Sequence, residues 1–271
     1  MSAIWLNEVE DDSAHGGKAA QLGAALRAGL PVPPGFALAH EHVDELAGGA
    51  AEHAPSHIAE AFASLGGPVA VRSSAIGEDG AGASFAGQHA TVLGVSCPRS
   101  LLAAIRKVRE SAHAPSALAY RKRLGLDGAP RMGVVVQKLV DADKAGVLFT
   151  RNPMSGADER VIEAAWGLGE IVVAGLVTPD RYRIARDGRV LERAAGEKDI
   201  AIRRRPDGGT HETTVEEHLV NALCLDDAEL RSLHELALRC EAYVAGPQDL
   251  EFAFAAGTLY LLQRRAITRS A

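Results

Sequence analysis

The sequence predicts an α+β chain folded as two lobes, on three observations. Runs rich in β-branched residues, such as VAVRSSA (69–75) and MGVVVQKLV (132–140), read as strands. Segments with apolar residues three and four apart read as helices. Both kinds occur in each half, and a Gly/Pro-rich stretch at 125–130 (GLDGAP) divides the chain into expected lobes 1–125 and 126–271.

Taken in order, GKAAQLGAALRAG (17–29) has apolar residues recurring at helical spacing (Ala20, Leu22, Ala25, Leu26), and Gly29 follows as a stop. LPVPPGFAL holds three prolines and is expected to be extended, entering a short strand. Residues 40–65 read as helix, broken at Gly48-Gly49 and at Pro55. VAVRSSA ends in a loop at 76–87 rich in Gly, Ser and acidic residues, and ATVLGV (90–95) returns from it. One long helix is expected over 98–124. MGVVVQKLV and AGVLFTRNP (145–153) are two strands joined by the turn DADK. RVIEAAWG, RYRIAR and RVLERA extend the sheet pattern, residues 214–245 form one or two helices, and DLEFAFA with TLYLLQRRAIT makes a terminal hairpin around Ala256-Gly257.

Composition excludes several classes. The 271 residues carry a net charge of −6 with pI near 5.9, which argues against a generic nucleic-acid binder. Cys97, Cys224 and Cys240 are widely spaced and form no CxxC pair, so free thiols in a reducing compartment are expected rather than a metal site. The acidic start MSAIWLNEVEDD has no signal-peptide core, and no apolar run reaches the roughly 18 residues of a membrane span. A cytoplasmic protein is expected.

Three segments carry residues suited to phosphate chemistry. In HGGKAAQLG (15–23) two glycines turn the chain into a helix and put Lys18 in its first turn, where a cation is unfavourable against the helix dipole unless an anion meets it. A solvated lysine is the alternative; no GxxxxGK[ST] loop is present. VAVRSSAIGEDGAGASFAGQ (69–88) delivers Arg72 into a loop of serines and glycines, and a plain connector rarely needs that length and composition. In PQDLEFAF (247–254), Asp249 and Glu251 project to one side of a strand. Gln263 and Arg265 do the same on the returning strand, which gives oxygens for Mg²⁺ and a cation for a moving phosphoryl group. A surface hairpin of alternating polar residues satisfies the same spacing.

These segments, together with GLPVPPGFAL, VVVQKLVDADKAGVLFTRNPMSG, EAAWGLGEIVVAGLVTPDRY and LLQRRAIT, give the chain its resemblance to a family. It resembles the N-terminal ATP-binding domain of phosphoenolpyruvate synthase, pyruvate phosphate dikinase and rifampicin phosphotransferase over essentially its whole length. The resemblance implies a single nucleotide-binding domain of ATP-grasp fold, 1–271, with two mixed α/β lobes and the nucleotide between them. It implies ATP and Mg²⁺ as cofactors. Lys18 and Arg72 match phosphate-gripping residues. Arg131, Gly146 and Thr150 match positions near the nucleotide, Glu251 and Gln263 match metal and phosphate ligands, and Arg265 matches the arginine that stabilises the transferred phosphate. Lys18, Arg72 and Arg265 are thus the expected catalytic set.

Two departures stand out. The family ending QxRPIT is QRRAIT here, with Ala266 in place of proline. The phosphoryl-accepting histidine motif that follows this domain in the family does not occur among these residues. The resemblance therefore implies an ATP-dependent, dikinase-like phosphotransferase component that passes phosphate to a histidine on a separate carrier protein or domain. A fragment of a longer synthase, an ATP-sensing module and a direct small-molecule kinase are the alternatives.

Overall fold

A computed structural model describes residues 3–49, 53–77, 89–123, 125 and 128–267. The expected phosphate loop at 76–87 lies outside the described residues from position 78 onward. The chain divides into two compact units. The first holds 1–27, 33–139 and 205–209, and the second holds 28–32, 140–204 and 210–271.

The first unit is built on a five-stranded antiparallel sheet. Its strands are β1 (Ile4–Trp5), β2 (Gly35–Leu38), β3 (Val69–Ala75), β4 (Thr91–Val95) and β5 (Met132–Lys138), in the order β1-β2-β5-β3-β4. Its helices are α1 (Gly17–Arg27), α2 (His40–Gly48), α3 (Ser56–Ser64), α4 (Pro98–Ser111) and α5 (Pro115–Arg123). Strand alternation decides which helix covers which face. Phe36, Leu38, Val69, Val71, Met132, Val134 and Val136 point to one side and form a core with Val43, Ile58, Phe62 and the α4 stripe Leu101, Leu102, Ile105 and Val108. The other side carries Arg72, Ser74, Gly133, Val135 and Gln137, and the start of α1 docks there.

Two expectations are corrected. The single helix over 98–124 is two helices, because Pro115 cannot continue a helix from the preceding turn and instead starts α5. The strands on either side of DADK do not pair with each other. β5 hydrogen-bonds between β2 and β3, so the first unit runs on to Leu139, beyond the stretch 125–130.

The second unit holds a six-stranded antiparallel sheet of β6 (Lys144–Phe149), β7 (Glu159–Trp166), β8 (Asp180–Ala185), β9 (Val190–Ala194), β12 (Gln248–Ala255) and β13 (Thr258–Ala266), in the order β13-β12-β6-β7-β8-β9. A separate hairpin of β10 (Ile200–Arg204) and β11 (Thr210–Thr214) was not foreseen: its arginines and threonines give no apolar alternation to read. Short helices α6 (Glu170–Val173) and α7 (Glu217–Val220) precede α8 (Asp227–Tyr243). A capping box opens α8: Asp226 accepts from the Glu229 amide at 2.8 Å and Glu229 accepts from the Asp226 amide at 2.9 Å. Glu229 also pairs with Lys144 at 2.8 Å, which ties the helix start to β6. The two-residue turn between β12 and β13 puts Ala256 and Gly257 at positive φ, as a hairpin turn of this length requires. Among the described residues no helix is long and apolar enough to cross a membrane.

One face of this sheet is closed by α8. Arg160 is fully buried and donates to His234 and Glu241 of the helix, and Gln248 donates to the Cys240 carbonyl. Beside them Asp180 and Lys198, both fully buried, form an ion pair at 2.5 Å. Asp180 also accepts from the amides of Gly196 and Cys224 and from the Tyr182 hydroxyl, while Lys198 donates to the carbonyls of Gly196 and Val220. Burial pushes the Tyr182 hydroxyl and the Cys224 thiol well above their usual values, so both stay neutral around this pair. The hub joins β8, the 196–198 turn, α7 and the lead into α8. Lys198→Ala leaves the Asp180 carboxylate buried without its cation and is expected to destabilise the protein by about 3–5 kcal/mol in urea denaturation. An unchanged midpoint would contradict the hub's role.

Candidate functional site

In the first unit the site residues are placed by a close backbone contact. Gly16 has φ of +83°, and a Cβ there would lie 1.9 Å from the Ser74 carbonyl oxygen. A Cβ on Gly133 would lie 2.4 Å from the His15 carbonyl oxygen. Only two bare glycines let the chain at 15–16 lie flat on β3 and β5. The Ser74 hydroxyl then accepts from the Ala19 amide at 3.0 Å and satisfies one of the open donors at the start of α1. Lys18 is thereby fixed, half-buried, at the end of the sheet where Ser74 lies. Arg72 sits two residues before Ser74 on the same strand and so on the same face. It is 9% exposed, and its guanidinium donates to Gln137 at 3.4 Å, which in turn donates to the Pro33 carbonyl. Arg131 is exposed just before β5, and its carbonyl accepts from the Ile76 amide. Lys18 and Arg131 thus lie at the Ser74 end of this sheet, whereas Arg72 lies mid-strand on the Lys18 face with its guanidinium directed to Gln137.

In the second unit, register does the placing. Glu251 is paired with Gln263, and Asp249 with Arg265, across β12 and β13. All four lie on the face away from α8, and a β-bulge follows Glu251, a device that re-aims side chains beside sites. Arg265 donates to one Asp249 oxygen from two nitrogens, at 2.7 and 2.6 Å. The other oxygen, Oδ1, is buried with no hydrogen-bond partner, and Asp249 is only 6% exposed. Burial pushes the Asp249 carboxyl up; Arg265 holds it down and Glu251 adds to the rise.

Gly146 and Thr150 do not present side chains on this face. A Cβ on Gly146 would lie 2.0 Å from the Glu163 carbonyl oxygen, so glycine is needed there for β6 to lie against β7. Thr150 is fully buried. Its hydroxyl accepts from the Gln248 amide at 2.9 Å, and its own amide donates to the Gln248 carbonyl. Its surroundings are those of a strand fastener. It also borders a cleft with Arg151, Asp158, Arg186, Glu241, Gly246 and Pro247, whose Arg186 and Glu241 pair at 2.7 Å.

The donor set on β12 and β13 suits a hard cation. Mg²⁺ takes one or two carboxylates and completes its shell with water and phosphate oxygens. Glu251, Gln263 and the orphaned oxygen of Asp249 supply such donors. No cluster of three His, Cys, Asp or Glu side chains fit to hold a metal by itself occurs among the described residues. Sequence reasoning had put Asp249 on the same side of the strand as Glu251, among the oxygens for Mg²⁺. What it missed was the pairing with Arg265, which depends on cross-strand register.

Residues 50–271 match the family described as the pyruvate phosphate dikinase AMP/ATP-binding domain. The chain belongs to this family. It is 35% identical over 305 residues to a probable phosphoenolpyruvate synthase of Methanothermobacter thermautotrophicus, covering 96% of this chain and 44% of that one. It is 35% identical over 315 residues to the probable phosphoenolpyruvate synthase of Archaeoglobus fulgidus, covering 99% and 42%. To the rifampicin phosphotransferase of Streptomyces sviceus it is 39% identical over 201 residues, covering 73% and 23%. The chain therefore spans less than half the length of these relatives. Membership brings with it the ATP-grasp class that the sequence implied, and the two mixed α/β units accord with it. Among solved structures, an ATP complex of D-alanine–D-alanine ligase from Bacillus anthracis covers 92% of this chain and 55% of its own at 11% identity. Its TM-score is 0.40.

The glycine contact makes a direct expectation. Gly16→Ala and Gly133→Ala each force a backbone clash beneath α1, and each is expected to lower stability by about 2 kcal/mol or more. Hydrogen exchange is expected to quicken at the amides of Lys18 and Ala19. Unchanged exchange there would show that the helix start does not rest on this contact.

Proposed function

We propose that this chain binds ATP with Mg²⁺ and donates phosphate as the nucleotide-handling component of a phosphoenolpyruvate-synthase-like phosphotransferase. The receiving group is a histidine on a separate carrier protein or domain. The observation that carries the reading is the arrangement on β12 and β13. A buried carboxylate with one oxygen gripped by Arg265 and the other without a partner stands beside Glu251 and Gln263. An orphaned buried oxygen of this kind costs free energy unless something completes it.

Each residue then has a role of its own. Lys18 and Arg72 grip phosphate oxygens, with Arg72 held in place by Gln137. Arg131 adds an exposed cation at the Lys18 end of the first sheet. Glu251, Gln263 and Asp249 hold the ion, which when bound draws charge off the phosphate oxygens. Arg265 meets the charge that develops during transfer, and Asp249 fixes the plane of its guanidinium. Gly146 and Thr150 shape the sheet under these side chains instead of touching the nucleotide. The family assignment and the relatives named phosphoenolpyruvate synthase and rifampicin phosphotransferase support the reading.

Calorimetry is expected to show markedly tighter ATP binding with Mg²⁺ than with EDTA, and Glu251→Gln is expected to remove most of that difference. Arg265→Lys keeps a cation beside Asp249 but loses the two-pronged contact. It is expected to leave ATP affinity within a few-fold and to slow single-turnover transfer to a carrier histidine by roughly 10²-fold. Equal affinity with Mg²⁺ and EDTA, or transfer by Arg265→Lys at the parental rate, would overturn the assignment.

A further inference from the structure

The site face of the second sheet also carries Glu163, a polar side chain that the proposed chemistry does not use. Register lines up Gln263, Glu251, Val147, Glu163 and Arg181 across β13, β12, β6, β7 and β8. Directly opposed residues of an antiparallel sheet share a face, so Glu163 lies on the side of Glu251 and away from α8. Burial agrees: Glu251, Val147 and Glu163 are half-buried, whereas Leu148 and Ile162 on the opposite face are fully buried.

Glu163 has no hydrogen-bond or ion-pair partner among the described residues. Glu159, four residues before it on the same strand and so on the same face, shows the contrast. It is braced by Arg183 at 2.8 Å and by Asn152 at 2.7 Å. Asp249, in the next row of the same face, is over nine-tenths buried with its own oxygen unpartnered. Two carboxylates left incomplete on one face point to a ligand that completes both.

We infer that Glu163 binds the ribose diol of the nucleotide. The inference rests on the reading that Mg·ATP binds this face. A carboxylate is repelled by phosphate oxygens and needs hydrogen-bond donors, which a nucleoside triphosphate offers on its sugar hydroxyls and base. The two glutamates are two strand spacings apart, roughly 10 Å. That is about the reach of a triphosphate from its metal-bound phosphates to its ribose. Val147, between them, leaves an apolar step that competes for no polar atom of the ligand.

The test is calorimetric titration of the parent, Glu163→Gln and Glu163→Ala with Mg·ATP and with Mg·2′,3′-dideoxy-ATP. The parent is expected to prefer ATP by roughly tenfold or more, as for hydrogen bonds to a charged group. Glu163→Ala is expected to abolish that preference by weakening ATP alone, and Glu163→Gln to retain part of it. The glutamine variant preserves shape and guards against a folding artefact. If both variants keep the full preference, Glu163 does not hold the diol. If they keep ATP affinity but lose transfer to a carrier histidine, the residue belongs to the acceptor and this assignment is wrong. If the parent does not bind Mg·ATP at all, the nucleotide reading itself fails, and the two failures are told apart by that first titration.

Discussion

The pairing of Asp249 with Arg265 is the contact around which the polar face of the β12–β13 hairpin is arranged. A carboxylate this deeply buried is costly unless it is paired, and pairing satisfies only one of its oxygens. The remaining oxygen stays without a hydrogen-bond partner, on the strand face that also carries Glu251 and Gln263. The same pairing fixes the guanidinium, so the cation is oriented before any ligand arrives. Preorganisation of that kind favours developing charge over ground-state charge.

That pair could not sit where it does without the opposite face. α8 takes the Leu148, Ile162 and Tyr182 side of the sheet, held by Arg160, Gln248 and the buried Asp180–Lys198 hub. One face is thereby committed to packing, and strand alternation leaves the other for Asp249, Glu251, Glu163, Gln263 and Arg265. The first unit solves the corresponding problem with backbone instead of side chains. Gly16 and Gly133 remove the atoms that would keep α1 off the sheet, and Lys18 follows from that contact.

Much of this was legible in the sequence where a local rule decides. Gly29 after the α1 pattern, Pro55 before α3 and Ala256-Gly257 between β12 and β13 each mark an element end through backbone sterics alone. The i, i+2 spacing of Asp249 with Glu251 and of Gln263 with Arg265 was enough to put all four on one side. Long-range choices were not legible. β5 and β6 follow each other closely in sequence yet belong to different sheets, because pairing partners come from residues 35–38, 69–75 and 248–255. The Thr150 hydroxyl accepts from the Gln248 amide, 98 positions away, a contact that its place in a motif does not show. Glu163 sat unremarked in VIEAAWG because nothing local distinguishes a carboxylate left without a partner from one that has found it.

The claim that β12 and β13 hold the metal–nucleotide is tested most directly by paramagnetic Mn²⁺ in place of Mg²⁺ with a non-hydrolysable ATP analogue, read residue by residue by NMR. Amide signals of residues 249–251 and 263–265 are expected to broaden first, and those of α8 on the far face to persist. Broadening centred instead on the cleft of Asp158, Arg186 and Glu241, with 249–251 unaffected, would contradict the account.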